Sequence, residues 1–222
     1  MTLTVDALWR YPIKTLAGEP LDCAELTFDG ISGDRNVHVR GPEGVRTARR
    51  FHRLLGLHAI LGPDDEPTVN GMPWTDPRVL DLVRDAAGPD AWLEAFAGPE
   101  RFDVLPLLVA TDGAVQAFGR DVRRLRPNIL IAGVENLDEV TWPGATVHIG
   151  DTIVRLDSVR QRCPMTTVDP DTLERDREVL NDINRRFEGR LALNAEVIRP
   201  GTIRVGDPVR LERSADRVID RP

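Results

Sequence analysis

Apolar and polar residues alternate almost from the first position. Leu3, Val5, Ala7 and Trp9 predict a half-buried strand ending at Tyr11-Pro12. Cys23–Phe28 and Asn36–Arg40 read as further strands joined through a Gly30–Gly33 turn, and Leu57–Leu61 and Thr68–Trp74 continue the pattern. Val79, Leu82, Val83 and Ala86 fall at helical spacing and predict a helix over Pro77–Ala87, stopped by Gly88-Pro89. A short second helix is expected over Ala91–Ala97, and the best break in the chain is at Gly98–Arg101. Beyond it, Leu105–Thr111 and Asn128–Ala132 are short apolar runs bounded by turn residues, the pattern of buried strands. Thr146–Ile149 and Ile153–Val159 predict a hairpin around Gly150-Asp151. Ile203–Val205 and Val209–Leu211 predict another around Gly206-Asp207. Leu173, Leu180, Ile183 and Phe187 form one stripe of a helix over Leu173–Phe187, with Asp171 or Thr172 as its N-cap. Periodicity is lost from Arg213, so the last ten residues are expected to be a polar tail. Short strands and frequent turns favour a mainly β, barrel-type fold over a doubly wound sheet.

Composition narrows what such a fold could do. The 222 residues carry a net charge of -7, which disfavours nucleic acid as the main ligand. The longest apolar runs, Leu105–Ala110 and Ile129–Val134, fall far short of the ~20 residues of a membrane helix. Asp6 lies where an export signal would be basic and then apolar, so a soluble cytoplasmic protein without membrane partners is expected. Cys23 and Cys163 form no CxxC motif, and the histidines at 38, 52, 58 and 148 form no HxxxH pattern. Zinc and iron–sulfur sites are therefore disfavoured. Phosphate-binding GxxxxGK[ST], dinucleotide-binding GxGxxG and nucleophile-elbow GxSxG motifs are absent from the sequence. Of the 29 basic residues one is lysine, Lys14. A compact ammonium approaches an oxyanion as a point charge, which a guanidinium cannot imitate.

The chemistry concentrates in four segments. Arg160–Thr172 reads RQRCPMTTVDPDT, with two arginines in the three positions before Cys163. That is the setting of a reactive or metal-binding sulfur, although a buried structural cysteine fits the same letters. Tyr11-Pro12-Ile13-Lys14-Thr15 places the lone lysine beside a hydroxyl. Gly33-Asp34-Arg35 puts an arginine after a glycine turn, and Arg126-Pro127-Asn128 stiffens another against a strand start. Brought together, they would ring one sulfur with cationic and hydroxyl donors suited to an anionic, phosphate-bearing ligand.

YPIKTLAG, GDR, RPNILI, QRCPMTTVDPDT and PGTIRVGDPV occur in this order along nearly the whole chain. The pattern resembles the MOSC family, in particular its branch with an N-terminal MOSC β-barrel, which includes amidoxime-reducing components. The resemblance implies a mainly β (α+β) fold: a MOSC N-terminal β-barrel-like domain over 1–98 packed on a MOSC β-barrel over 99–212 with a few short helices, and a polar tail over 213–222. It implies a molybdenum cofactor held by one protein thiolate, with Cys163 as metal ligand and catalytic residue. Lys14, Thr15, Arg35, Thr111, Arg126, Asn128, Gln161 and Arg162 would contact that cofactor. Asp169 and Asp171 would shape the loop. The implied activity is reduction of the N–O bond of small N-hydroxylated substrates. A separate flavin or iron–sulfur reductase would supply electrons, since the chain has no motif of its own for that task. The alternative is a sulfur-carrying or cofactor-handling protein with a persulfide on Cys163; pyridoxal phosphate binding is a family-level association only. The chain departs from the family pattern at Arg160 and Gln161, at Leu173, where a glycine is usual, and in a shortened stretch between Thr111 and Arg126.

Overall fold

The computed structural model describes residues 2–98 and 101–213. Seven strands close a barrel in the order Leu3–Arg10, Ile129–Ala132, Leu107–Thr111, Arg190–Arg199, Thr152–Gln161, Thr146–Ile149 and Pro208–Glu212, which returns to Leu3–Arg10. Alternation drives this closure: Val5, Leu8, Val109, Ile129, Val147, Val154, Leu156 and Leu193 turn inward to one buried core. Each such side chain contributes roughly 1.5–3 kcal/mol on burial.

Three helices accompany the strands among the described residues: α1 (Pro77–Ala87), α2 (Asp112–Phe118) and α3 (Arg177–Phe187). The one parallel pair in the barrel sets Val109 opposite Ile129 and Thr111 opposite Ile131. Parallel neighbours need a crossover, and α2 lies within it. The sequence pattern did not predict α2, because seven residues are too few to show a stripe.

A second core collects Ile13, Leu16, Val37, Val39, Leu54, Leu57, Val79 and Val83 around α1. Its strands form two open three-stranded sheets; the closed barrel is the seven-stranded one. The chain threads both bodies, for Leu3–Arg10 is a barrel stave and Ala24, Leu26 and Ile31 sit in the barrel core. A division at residue 98 therefore cuts across the seven-stranded barrel.

Other expectations give way to longer-range pairing. Trp92–Ala95 is a strand, not a helix, because its backbone completes a ladder with Val37–Arg40. The hairpin around Gly150-Asp151 forms, but the one around Gly206-Asp207 does not. Gly201–Arg204 pairs with Cys23–Thr27, and Pro208–Glu212 pairs with Thr146–Ile149 and Leu3–Arg10. Helix α3 starts at Arg177 with Asp176 as N-cap, its carboxylate accepting from the Glu178 N–H. Asp171 and Thr172 instead give their N–H groups to Asp169. Leu173 then takes a left-handed conformation, φ 60°, which a glycine would adopt without strain; it packs against the cluster of Ala48, Leu55 and Val168. The expected tail lies outside the described residues from 214 onward.

Candidate active site

The segment after the first strand crosses from one core to the other. Ile13 and Leu16 bury into the second core, which leaves Lys14 and Thr15 at the seam. Gly18 permits this path: a Cβ there would run into the Arg10 carbonyl oxygen and the Tyr11 ring. Thr15 is held at φ 87°, Arg35 at 57° and Arg126 at 56°. A non-glycine residue in this region is strained, and such strain gathers at functional sites.

Asp34 knots three of the motifs together. Its carboxylate accepts from the Tyr11 N–H (2.6 Å) and the Asn128 amide (3.3 Å), and it pairs with Arg35. The Tyr11 hydroxyl donates to the Pro127 carbonyl at 3.0 Å. Burial pushes that phenol up to about 12, so the ring stays neutral. The Arg35 and Arg126 guanidinium carbons lie 5.1 and 4.1 Å from its centroid, so one ring orients two cations. Asn128 is itself anchored, accepting from the Leu108 N–H and donating to the Trp9 carbonyl.

Cys163 follows the strand Thr152–Gln161 and opens a 3₁₀ turn over Pro164–Thr167, half-buried and without a disulfide. The Thr166 hydroxyl donates to the Cys163 carbonyl (2.9 Å) and that of Thr167 to Pro164 (2.7 Å), so both close the turn. Asp169 pairs with Arg124 and Asp171 with Arg123, each at 2.8 Å, bracing the loop from the RRLRP segment.

One cleft at the seam is lined by Lys14, Thr15, Arg35, Arg126, Asn128, Gln161, Arg162 and Cys163. Thr111 is not there. It is fully buried, caps α2 by accepting from the Ala114 N–H, and donates to Glu139 at 2.7 Å. A hydroxyl that caps a helix and one that binds a ligand read alike in sequence.

The same cleft contains four charged residues outside the predicted set: Arg124, which pairs with Asp169, and Arg49, Asp103 and Arg160. Asp103 bridges Arg49 (2.7 Å), Lys14 (3.2 Å) and Arg160 (3.2 Å). Burial alone would raise the Asp103 pKa, but these three charges outweigh it and hold the carboxyl below its usual range. The Cys163 sulfur and Asp103 beside Arg49 outweigh its burial and raise its pKa. The cleft encloses about 90 Å³ of free space.

Arg126 and Arg162 differ from these residues. Among the described residues neither forms an ion pair with a carboxylate; burial pushes Arg126 down to about 10 and Arg162 down likewise. Arg162 donates to the Leu125 carbonyl at 2.7 Å, while its Nε is buried with no partner. Uncompensated buried guanidinium groups beside a thiol are the donor set of an anion-binding site. They fit a cofactor that joins a phosphate to a thiolate-bound metal. Among the described residues no cluster of three or more His, Cys, Asp or Glu is placed to hold a metal ion. No helix there is long and apolar enough to cross a membrane.

The chain is similar to known proteins over most of its length. It is 28% identical to mitochondrial amidoxime-reducing component 1 of Homo sapiens, covering 94% of this chain and 82% of that protein. It is 27% identical to component 2 of Macaca fascicularis, covering 93% and 82%. Its fold matches the crystal structure of the YuaD protein from Bacillus subtilis with a TM-score of 0.52, at 12% identity and coverage of 96% and 97%. The MOSC domain profile matches residues 112–210. That stretch contributes to five of the seven barrel strands, all but Leu3–Arg10 and Leu107–Thr111, and includes Cys163; it is the part of the chain that is similar to the MOSC domain.

Proposed function

We propose that the chain is a molybdenum-cofactor-binding oxidoreductase that reduces N-hydroxylated compounds. One observation carries this reading: Cys163 shares a cleft with two buried guanidinium groups that form no ion pair with a carboxylate among the described residues. The similarity to amidoxime-reducing components supports the same class of reaction. When bound, the cofactor would supply two-electron redox chemistry at the metal. The substrate's N–O bond breaks, two electrons and two protons are consumed, and the oxygen leaves as water.

The protein's part is to hold and orient. Cys163 would be the metal's protein ligand, on a loop fixed by Thr166, Thr167 and Asp169. Arg126 and Arg162 would neutralise the cofactor's anionic groups, with Arg35 oriented alongside by the Tyr11 ring. Lys14 and Thr15 would bind oxygens from the seam, and Asn128 and Gln161 would line the same wall. Electrons would come from a separate flavin or iron–sulfur reductase, and a cytoplasmic location belongs to the same reading.

The test is benzamidoxime reduction by cofactor-loaded protein with a chemical electron donor. Wild type should form benzamidine and Cys163→Ala should not. Equal turnover by both would overturn the reading. A persulfide on Cys163 in place of the metal would favour the sulfur-carrying alternative.

A further inference from the structure

A second cavity, of about 330 Å³, shares Arg124, Arg126 and Met165 with the cleft but does not include Cys163. Its size falls in the range of small-molecule sites, roughly 300–1,000 Å³. Two aromatic rings, two prolines and two aliphatic side chains wall it: Trp9, Tyr11, Pro20, Pro170, Leu55 and Val168. Exposed His58 adds a hydrogen-bonding ring.

Three arginines line this cavity, and their charges are not equally available. Arg123 is held by Asp121 and Asp171, and Arg124 by Asp169. Arg126 has no ion pair among the described residues. It is oriented by the Tyr11 ring at 4.1 Å and held in a left-handed backbone conformation. The cavity therefore combines aromatic and proline ring faces with one planar cation that has no ion pair among the described residues. A guanidinium accepts a carboxylate as a matched pair of parallel hydrogen bonds.

We propose that this cavity binds a flat aromatic monoanion of the aryl carboxylate class. Its carboxylate meets Arg126, and its ring packs among Trp9, Tyr11 and the two prolines. The site does not include Cys163 but shares Arg126 with the proposed cofactor contacts, so a cofactor anion and the carboxylate compete for one cation and the titration is made on cofactor-free protein. Charge selects the ligand: a neutral aryl amide keeps the packing and loses the ion pair, and an aryl amidinium is repelled.

Calorimetric titration of the purified protein with benzoate, benzamide and benzamidine tests the charge preference. Benzoate should bind saturably, benzamide about tenfold more weakly and benzamidine more weakly still. Equal binding of all three, or none by benzoate, overturns the proposal. Location is tested by filling the cavity from two walls with Leu55→Trp and Ala17→Phe, each verified as folded by circular dichroism. Each should weaken benzoate by about tenfold; unchanged affinity in both places the anion elsewhere and overturns the proposal. Nuclear Overhauser contacts in the wild-type protein serve if neither variant folds. Benzoate ring protons should contact the Leu55 and Val168 methyls, and contacts confined to residues around Cys163 would contradict the assignment.

Discussion

Two buried polar clusters are built into this barrel. At the junction of Thr111, Glu139 and Ala192, the carboxylate accepts from the Thr111 hydroxyl at 2.7 Å and from the Ala192 N–H at 2.9 Å. Glu139 is 1% exposed and burial raises its pKa, with those hydrogen bonds opposing the rise. Thr111 in turn caps α2, so its oxygen has a use on both sides. In the Cys163 cleft the donors are left over: Arg126 has no carboxylate partner among the described residues and the Arg162 Nε has no acceptor. A closed polar network holds a fold together, whereas an open one facing a cavity is shaped for something not in the chain. Openness alone does not suffice. His38 is fully buried with both ring nitrogens unpartnered, yet it stacks on Phe96 at 4.7 Å and lines neither cavity.

His38 gives the largest expected effect and isolates openness without a cavity. Burial, then the charge of Lys14, pushes its pKa down to about 4 from the ordinary 6.5. Between those values the unfolded imidazole binds a proton that the folded one does not, so stability falls as pH falls through that window. The loss by pH 4 is about 3 kcal/mol. Urea unfolding from pH 7 to 4 should show it, and His38→Phe should remove that part of the slope. An unchanged slope would mean that His38 is not a buried neutral ring.

Thr111→Val breaks the closed cluster and should lower stability by about 2 kcal/mol, read from denaturant midpoints. Metal content per folded protein should not change. Unchanged stability with loss of metal would restore Thr111 to the cofactor contacts. Arg126→Gln does the reverse, lowering molybdenum occupancy about tenfold while leaving apoprotein stability undiminished, because an unneutralised buried cation is costly. A strongly destabilised variant would make Arg126 a structural residue. Asp103→Asn is the gentlest change. With the carboxylate neutralised, Lys14, Arg49 and Arg160 should bind inorganic phosphate about threefold more tightly. Weaker binding would show that Asp103 holds the cations in place and does not occupy them.

The same contrast explains what could be read from the letters. Cys163, Lys14, Arg35 and Arg126 stand in short segments whose local chemistry is visible before folding, and the structure gathers them at one cleft. Arg49 and Asp103 come from stretches without a local signature, and only the fold brings them to Lys14. In RRLRP three arginines look equivalent, yet two find aspartates in the Asp169–Asp171 loop and the third does not. The strand alternation was legible because burial acts residue by residue. The partner of Gly201–Arg204 was not, since pairing with Cys23–Thr27 spans most of the chain.

On the proposed function, the open donors around Cys163 hold a molybdenum cofactor. Elemental analysis of wild-type protein and Cys163→Ala, both purified from cells that make the cofactor, tests it most directly. Close to stoichiometric molybdenum is expected in the wild type, with a near-complete loss in the variant. Wild-type protein without molybdenum, or a variant that retains it in full, would contradict the account.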